Sequence, residues 1–335
     1  VKDDFENIEY DKIRYFPKGL KPNYLIVAGL NLDEMDKEVN VYTLLGAGEN
    51  IYSSRENLYV SLADNRYVEP EPLPVMPSSG IKRPIAPDYN MYTQLYKFAL
   101  NQGQVSFNCD GEVPGNLLNQ FSTDEHEGYF RIATTTGFTW RSDDNTSKNN
   151  VYVLDKDLKI TGSLEGIAPG EKIYSVRFMG DKGYMVTFKT VDPLFVIDLK
   201  DPCNPAILGA LKIPGYSDYI HPYDENHIIG FGKDTIEIEQ KDMYGNTFGT
   251  TAFYLGMKIA LFDVSDVHNP IEKFTVKIGD RGTDSELLRN HKALLFSKEK
   301  QLMAFPVTVM EIQNKQKSVN SFPEYGNFAF QGAYV

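Results

Sequence analysis

The segment spanning residues 174–214 constrains the fold more than any other part of the chain. It contains short runs rich in β-branched, aromatic and aliphatic residues, each bounded by Gly, Asp, Asn or Pro. These runs are residues 175–179, 184–188, 194–199 and 207–213. The gaps between the runs have the composition of turns. Four antiparallel strands within about 40 residues match the size of one blade of a β-propeller.

The same pattern recurs before and after this segment, and it predicts blade-like units along the whole chain. The units are residues 24–45, 49–110, 116–165, 172–214, 216–279 and 286–335. We label the strands of a blade A (innermost) to D (outermost). The first unit is predicted as a C–D pair, with residues 13–16 as a further short strand, and the last unit as A, B and C only. The predicted A strands of the third and last units are residues 117–122 and 287–296. The predicted fold class is all-β, a β-propeller of four-stranded antiparallel blades forming a single domain over residues 1–335.

The first and last predicted units each have fewer than four strands, and this affects how the ring of blades would close. An open propeller would leave unpaired sheet edges. The two ends could therefore share one blade, which gives six blades. Alternatively, the chain is the C-terminal part of a longer propeller, and the end of the sequence inside an apolar strand favours this second interpretation.

Composition excludes some classes of partner. The 335-residue chain has a net charge of −12 and no local cluster of Lys and Arg, which argues against nucleic acid as a partner. No apolar run reaches the ~18 residues that a membrane span requires. Cys109 and Cys203 occupy unlike positions in two different units, so a disulfide between them is possible but not favoured.

The distribution of long links indicates a binding face. The links between strands A and B are short, whereas several B–C links are long. The long ones are residues 63–91, which are rich in proline, 136–150, 232–257 and 308–327. In a propeller the B–C links emerge on one face together with the D–A links. Large insertions that share one face indicate a binding surface, although long loops are also simply tolerated there.

Candidate binding residues fall in these links and on the inner strands. The D–A link at residues 279–284 carries Asp280, Arg281 and Asp284, and Glu286 follows it; a solvated ion pair is the structural alternative. His221 and His291 are predicted on A strands, where a structural hydrogen bond is the alternative to ligand binding. The full predicted set is Arg141, Asp192, Asp218, His221, Asp280, Arg281, Glu286 and His291.

Two turns share one sequence pattern. Asp198, Asp201 and Asn204 precede Pro205 with the same spacing that Asp263, Asp266 and Asn269 have before Pro270. Closely spaced oxygen ligands suit calcium. However, Asp and Asn also cap their own turns, and proline ends strand pairing. Because the pattern has neither the Gly nor the distal Glu of an EF-hand loop, the turn role is favoured.

Several stretches resemble a known family. They include GIAPGEKIYSVRFMGDKGYMVTF, LKIPGYSDYIHPYDENHIIGFGKDT and IGDRGTDSELLRNHKALLF. These resemble secreted bacterial and archaeal proteins with a C-terminal β-propeller domain, and the D-x-x-D-x-x-N-P turns resemble the LVIVD-type propeller repeat. The resemblance implies an extracellular or cell-surface location and further sequence upstream. It transfers no site residue, because the family has no established catalytic residues.

The sequence favours a non-enzymatic binding or scaffold module for a protein or glycan, acting through the face with the long B–C loops. No H-E-x-x-H, G-x-S-x-G or phosphate-loop motif is present. The alternative is a carbohydrate-active hydrolase or lyase in which Asp192, Asp218, Arg281 and Glu286 perform acid–base chemistry. Calcium, as a structural ion, is the one cofactor that the acidic loops suggest.

Overall fold

The computed structural model describes residues 7–15, 22–46, 48–68, 88–189, 192–313 and 322–335. Within these residues the backbone is nearly all strand, with four single 3-10 turns as its only helical elements. No helix among them is long and apolar enough to cross a membrane. The all-β prediction is confirmed. The described residues divide between two compact units, one within Val1–Phe138, Asp143–Thr146 and Asn150–Ser163, and the other within Thr139–Ser142, Ser147–Asn149 and Leu164–Val335.

The first sheet differs from the predicted C–D pair. Its strands are β1 (Ile13–Tyr15), β2 (Tyr24–Gly29) and β3 (Asn40–Leu45). The order is β1-β3-β2, with β3 antiparallel to β2 and parallel to β1. The prediction that β3 is the outermost strand is therefore wrong, because β1 pairs along its other edge. This pairing satisfies backbone groups that an edge strand would expose.

The second sheet is a four-stranded meander, as predicted. Its strands are β4 (Asn50–Ser53), β5 (Asn57–Val68), β6 (Asp88–Asn101) and β7 (Gln104–Pro114). Strands β5 and β6 are longer than the sequence indicated and stay paired as far as Val68 and Asp88. Residues 69–87, which hold the prolines of this B–C link, lie outside the described residues. Leu62, Phe98 and Val105 pack with Leu44 of β3 in one buried cluster.

The third sheet has a divided inner strand. Its strands are β8 (Asn116–Leu117), β9 (Thr123–His126), β10 (Tyr129–Thr136), β11 (Lys148–Leu154) and β12 (Ile160–Ile167). Both β8 and β9 pair with β10, and a 3-10 turn at Gln120–Ser122 separates them. The prediction of one continuous strand over 117–122 is wrong. The side chain of Asn119 accepts a hydrogen bond from the Phe121 N–H at 2.9 Å, which stabilises the turn.

The fourth and fifth sheets are the most regular and share a core. The fourth contains β13 (Lys172–Met179), β14 (Lys182–Phe188), β15 (Asp192–Asp198) and β16 (Ala206–Ile213). The fifth contains β17 (Tyr216–Asp224), β18 (His227–Lys241), β19 (Thr247–Asp263) and β20 (Ile271–Ile278). Each is a meander in sequence order, as predicted. Tyr184 and Val196 of one sheet are buried against Ile220 and Phe262 of the other.

A long hairpin extends the fifth sheet where the sequence predicts a polar, Gly-rich loop. Strands β18 and β19 have 15 and 17 residues and pair as far as Lys241 and Thr247. Residues 236–239 alternate β-branched and acidic side chains, a pattern typical of a strand with one solvated face. Asp242 Oδ1 caps the tip turn by accepting from the Tyr244 N–H at 2.9 Å and from the Asn246 N–H at 2.8 Å. The loop prediction is therefore wrong.

The last sheet has a short first strand. Its strands are β21 (Leu295–Ser297), β22 (Leu302–Glu311) and β23 (Asn327–Tyr334). Most of the strand predicted over 287–296 is instead two 3-10 turns, at Glu286–Leu288 and His291–Ala293. The side chains of Ser285 and Asn290 cap these turns by accepting from backbone N–H groups. Local capping thus overrides the apolar pattern that suggested a strand.

Candidate functional site

The predicted site residues converge best on the segment that follows β20 and includes the first 3-10 turn of the last sheet. We call residues 279–289 the 279–289 link. It carries three of the predicted residues, Asp280, Arg281 and Glu286, together with Asp284. Its backbone is fixed to β22, since the Asp284 N–H donates to the Thr308 carbonyl at 2.9 Å and the Thr308 N–H donates back at 2.8 Å.

Asp218 lies at a β-bulge beside this link. In the pairing of β17 with β18, Ser217 faces Gly232 and Tyr219 faces Phe231, so Asp218 has no cross-strand partner. A bulge re-aims a side chain relative to the regular pleat. Burial raises the pKa of the Asp218 carboxyl to about 7; the positive charge of Lys233 opposes this effect and the Asp284 carboxylate adds to it. Asp218 is therefore a partly buried carboxyl group that exchanges a proton near neutral pH.

Asp284 has the opposite electrostatic character. Arg289 Nη2 lies 2.7 Å from its Oδ2, and Lys233 Nζ lies 3.2 Å from its Oδ1. Burial alone would raise the pKa of Asp284, but the hydrogen bonds and charges of Arg289 and Lys233 hold it below its ordinary value. Asp218 and Asp284 thus form a pair of carboxyl groups whose environments separate their pKa values, an arrangement common at acid–base sites.

Asp284 lines a cleft of about 430 Å³, which we call the Asp284 cleft; Asp218 is not part of its lining. Its lining includes Asp284, Glu286, Arg289, Thr308 and Gln331. Glu286 Oε2 lies 3.9 Å from Arg289 Nη2. The cleft therefore offers carboxylates, a guanidinium group and an amide, a donor and acceptor set suited to a hydroxyl-rich ligand.

Asp280 and Arg281 have structural partners. The guanidinium of Arg281 lies over the ring of Tyr325 at 4.2 Å and over that of Phe253 at 5.4 Å. Its Nη1 donates to the Pro323 carbonyl at 2.7 Å. Asp280 Oδ2 accepts from the Ile312 N–H at 2.9 Å. These contacts tie the link to the hairpin and to the segment before β23; they are ring and backbone contacts and not the solvated ion pair that the sequence offers as the structural alternative.

The two histidines gather around Tyr219. His221 lies on β17, as predicted, and its Nδ1 is 3.0 Å from the Tyr219 hydroxyl. His291 lies on a 3-10 turn instead of the predicted A strand, with its ring 6.0 Å from that of Tyr219. Burial lowers the pKa of both imidazoles, with Lys292 adding to the effect at His291 and Arg177 at both. Both rings are therefore neutral near pH 7 and belong to an aromatic cluster with Phe296.

The remaining predicted residues lie elsewhere. Arg141 is in the link between β10 and β11, with its guanidinium 5.8 Å from the centre of the Trp140 ring. Trp140 is 69% exposed. Asp192 begins β15, but its side chain lies outside the described residues.

The two repeated turns use their acidic side chains internally. Asp201 Oδ2 accepts from Asn204 Nδ2 at 2.8 Å, and Asp266 Oδ2 accepts from Asn269 Nδ2 at 2.9 Å. The other oxygen of each accepts from the backbone N–H two residues later. These bonds are those of a capped turn. Among the residues that the structure describes, no group of three or more His, Cys, Asp or Glu is placed to hold a metal ion.

Sequence reasoning missed Lys233, Asp234 and Arg289. Lys233 and Asp234 belong to the part of β18 for which the sequence pattern predicts a loop. Arg289 follows Glu286 at a spacing of three, which is a local ion-pair signal, but its main partner Asp284 is recognisable only once the 3-10 turn is known. Lys233 has no local signal, because its partner Asp284 is 51 residues away.

Comparison with known proteins agrees with this architecture. A family model described as a beta propeller domain matches residues 1–335. The uncharacterized protein MJ1554 of Methanocaldococcus jannaschii is 43% identical over 217 residues, which cover 64% of this chain and 30% of that protein. An uncharacterized protein of Archaeoglobus fulgidus is 39% identical over 214 residues, which cover 64% of this chain and 29% of that protein.

The matched part spans less than a third of the length of these curated relatives. Among solved structures, a europium-containing methanol dehydrogenase aligns with a TM-score of 0.38 and 9% identity, covering 66% of this chain and 45% of that chain. The family model covers the whole sequence and the described residues form sheets of the matching type. The chain therefore belongs to the β-propeller domain family.

Proposed function

We propose that this chain is a non-enzymatic binding module that recognises a protein or glycan through the β18–β19 hairpin. The observation that carries the proposal is the apolar tip of that hairpin. Met243 is 90% exposed and Tyr244 is 82% exposed. An exposed aromatic side chain on a long, hydrogen-bonded arm is the kind of residue that dominates binding energy in interfaces.

The rigidity of the arm supports the proposal. At the base of the arm, the centre of the Tyr254 ring lies 5.2 Å from that of Tyr216 and 6.0 Å from that of Phe188. Phe253 packs against Phe322 at 5.3 Å. An arm that is fixed at its base loses less conformational entropy on binding than a free loop would. The proposed location is extracellular or at the cell surface, on the strength of the sequence resemblance.

The test is a binding screen of the intact protein against glycan arrays and surface-protein libraries. We expect a ligand whose affinity falls about tenfold or more when Met243→Ser and Tyr244→Ser are combined, since truncating an interface hot spot costs about 1.4 kcal/mol or more. The matched control combines Leu32→Ser and Met35→Ser, two exposed apolar residues of the other compact unit. An unchanged affinity in the hairpin variant, or equal losses in both variants, would refute the role of the tip.

A second candidate function is acid–base cleavage of a carbohydrate in the Asp284 cleft. The observation that favours it is the separation of the pKa values of Asp218 and Asp284, of which Asp284 lines a polar cleft. Glu286, which lines the cleft, would act as the base, and Asp218, which is protonated below pH 7, would supply the proton for the leaving oxygen through an intervening water. Asp192 and Arg281, the other residues of the sequence-based hypothesis, are not used.

A reducing-end assay on a polysaccharide panel tests this second function. Asp218→Asn and Glu286→Gln should each lower the rate at least about 100-fold, the usual contribution of general acid–base catalysis. The control is Glu225→Gln, an exposed carboxylate in the turn after β17. Turnover that is absent on every substrate, or present and insensitive to both substitutions, would remove the enzymatic candidate.

A further inference from the structure

A second cleft lies at the base of the hairpin, distinct from the Asp284 cleft and from the hairpin tip. We call it the Asp234 cleft. It has a volume of about 560 Å³, and its polar lining consists of Asp234, Lys277, Asp280 and Glu311. Leu255 and Ile312 contribute apolar walls. All of these residues belong to the second compact unit.

Asp234 is the unusual member of this lining. It occupies a bulge, because Lys233 pairs with Met257 and Thr235 pairs with Tyr254, which leaves Asp234 out of register. The residue is only 6% exposed. Lys277 Nζ lies 2.8 Å from its Oδ2, whereas its buried Oδ1 has no hydrogen-bond partner among the described residues. A buried carboxylate oxygen without a donor is costly, so this group is incompletely satisfied.

The geometry allows a ligand to supply the missing donor. The final torsion of an aspartate side chain is soft, so the carboxylate can turn Oδ1 toward the cleft once Lys277 releases Oδ2. Lys277 is 55% exposed at its side chain and can yield its place. A donor that enters the cleft can therefore reach the Asp234 carboxylate without any movement of the backbone.

The charge of the cleft determines which donor fits. Three carboxylates and one ammonium group leave a net charge of −2 in the lining. The carboxylates are not placed to hold a metal ion together, as judged over the described part of the chain. A negatively charged cleft concentrates organic cations, and charge-assisted hydrogen bonds to a carboxylate are among the strongest available. The apolar walls suit an aliphatic stem attached to the cation.

We propose that the Asp234 cleft binds a protonated aliphatic amine. The ammonium group bonds to Asp234 and Glu311, and the methylene stem packs against Leu255 and Ile312. The same chemistry is present in a free diamine and in the lysine side chain of a peptide. This site is independent of the proposed recognition by the hairpin tip.

The test is calorimetric titration of the full chain at low salt with two probes, 1,5-diaminopentane and the capped tripeptide acetyl-Gly-Lys-Gly-amide. We expect at least one probe to bind, with affinity falling about tenfold or more in Asp234→Asn and about fivefold in Glu311→Gln. Tighter binding of the diamine identifies a free amine as the ligand, and tighter binding of the peptide identifies a lysine side chain. Mono-acetylated diaminopentane, which keeps one charge, should bind more weakly than the diamine.

The matched control is Glu237→Gln, an exposed carboxylate of the same hairpin that does not line the cleft. It should leave the affinity unchanged. Glu311 is exposed, so Glu311→Gln decides the question even if Asp234→Asn fails to fold. The proposal is overturned if neither probe binds, or if a probe binds and its affinity is the same in the Glu311→Gln and Glu237→Gln variants.

Discussion

The β13–β16 and β17–β20 sheets are built on one frame, and the candidate sites come from differences at a bulge and in the length of the central strands. Both have a bulge in the first strand and a second bulge between the third and fourth strands. Both carry the same Asp-capped turn before the fourth strand. The bulged residue is Tyr174 in one sheet and Asp218 in the other.

The bulged residues have different surroundings. The centre of the Tyr174 ring lies 4.8 Å from that of Tyr216 and 5.3 Å from that of Phe188. Asp218 instead interacts electrostatically with the charged side chains of Lys233, Asp284 and Arg289. The same backbone irregularity therefore serves packing in one sheet and presents a titratable group in the other.

The two sheets also differ in the length of their central strands. Strands β14 and β15 have 7 residues each, whereas β18 and β19 have 15 and 17. The extra residues form the hairpin and the Asp234 cleft at its base. The comparison teaches that the repeated frame supplies stability, while a substitution at the bulge and an insertion at the end of the central strands supply the candidate sites.

The largest expected effect is at the bulge of the fifth sheet. The folded-state pKa of Asp218, about 7, is above the unfolded value near 4, so its protonation stabilises the folded chain below pH 4. That contribution is lost as pH rises through 7 and amounts to at most about 4 kcal/mol. Asp218→Asn should therefore be nearly neutral at pH 4 and clearly stabilising at pH 8, as measured by urea unfolding across this range.

Tyr174→Phe at the matching bulge is the control for this prediction. Its free energy of unfolding relative to the wild type should not vary between pH 4 and 8, because a phenol does not titrate there. A constant difference between Asp218→Asn and the wild type over the same range would show that Asp218 keeps an ordinary pKa and that the two bulges do not differ in this respect.

The next effect concerns the fourth strands. Gly209 on β16 faces Val196, and Phe274 on β20 faces Leu261 at the matching position. A Cβ on Gly209 would lie 2.3 Å from the carbonyl oxygen of Val267, whereas Phe274 is 67% exposed. Gly209→Ala should cost about 3 kcal/mol, because the turn that packs on β16 must move.

The control substitutions for Gly209 are Phe274→Ala and Gly249→Ala. Phe274 is exposed and Gly249 has open space around its Cβ position, so each change should shift the unfolding free energy by less than about 1 kcal/mol. A Gly209→Ala variant as stable as these two would mean that the turn of the fifth sheet does not pack on β16 in solution.

The smallest effect separates the two capped turns. Asp201→Ala and Asp266→Ala should each lower the free energy of unfolding by about 1 kcal/mol. We expect the decrease to be larger for Asp266→Ala. The reason for the difference is that His268 Nδ1 lies 2.9 Å from the Leu208 carbonyl, which couples the Asp266 turn to β16. Thermal and urea unfolding would measure both losses.

The conservative substitutions test the purpose of these turns. Asn can replace Asp as a turn cap, so Asp201→Asn and Asp266→Asn should remain close to wild type. If the Asn variants instead lose as much stability as the Ala variants, and the wild type loses the same amount in EDTA, the calcium hypothesis would replace the turn assignment.

The regular sheets could be predicted from local pattern, and several irregular elements could not. The predicted ends of the strands in the fourth sheet agree with the observed ends to within a few residues. The reason is that runs of β-branched residues identify the strands, and the Gly, Asp and Pro residues between the runs identify where the strands end. The inner strand of the last sheet was mispredicted because Ser285 and Asn290 cap 3-10 turns inside an apolar stretch. The hairpin was missed because its polar residues suggested a loop, although they alternate as a strand does.

The features of the candidate site also divide into those that local sequence predicts and those that it does not. The sequence by itself determined the all-β repeat, the turns and the acidic character of the 279–289 link, because these depend on residues close together in the chain. Only the tertiary structure decided that Asp218 meets Lys233, Asp284 and Arg289, that Arg281 is held by Tyr325 and Phe253, and that Asp234 is buried with one oxygen unsatisfied. These properties arise from burial and from partners on other strands, and neither is encoded in the spacing of residues along the sequence.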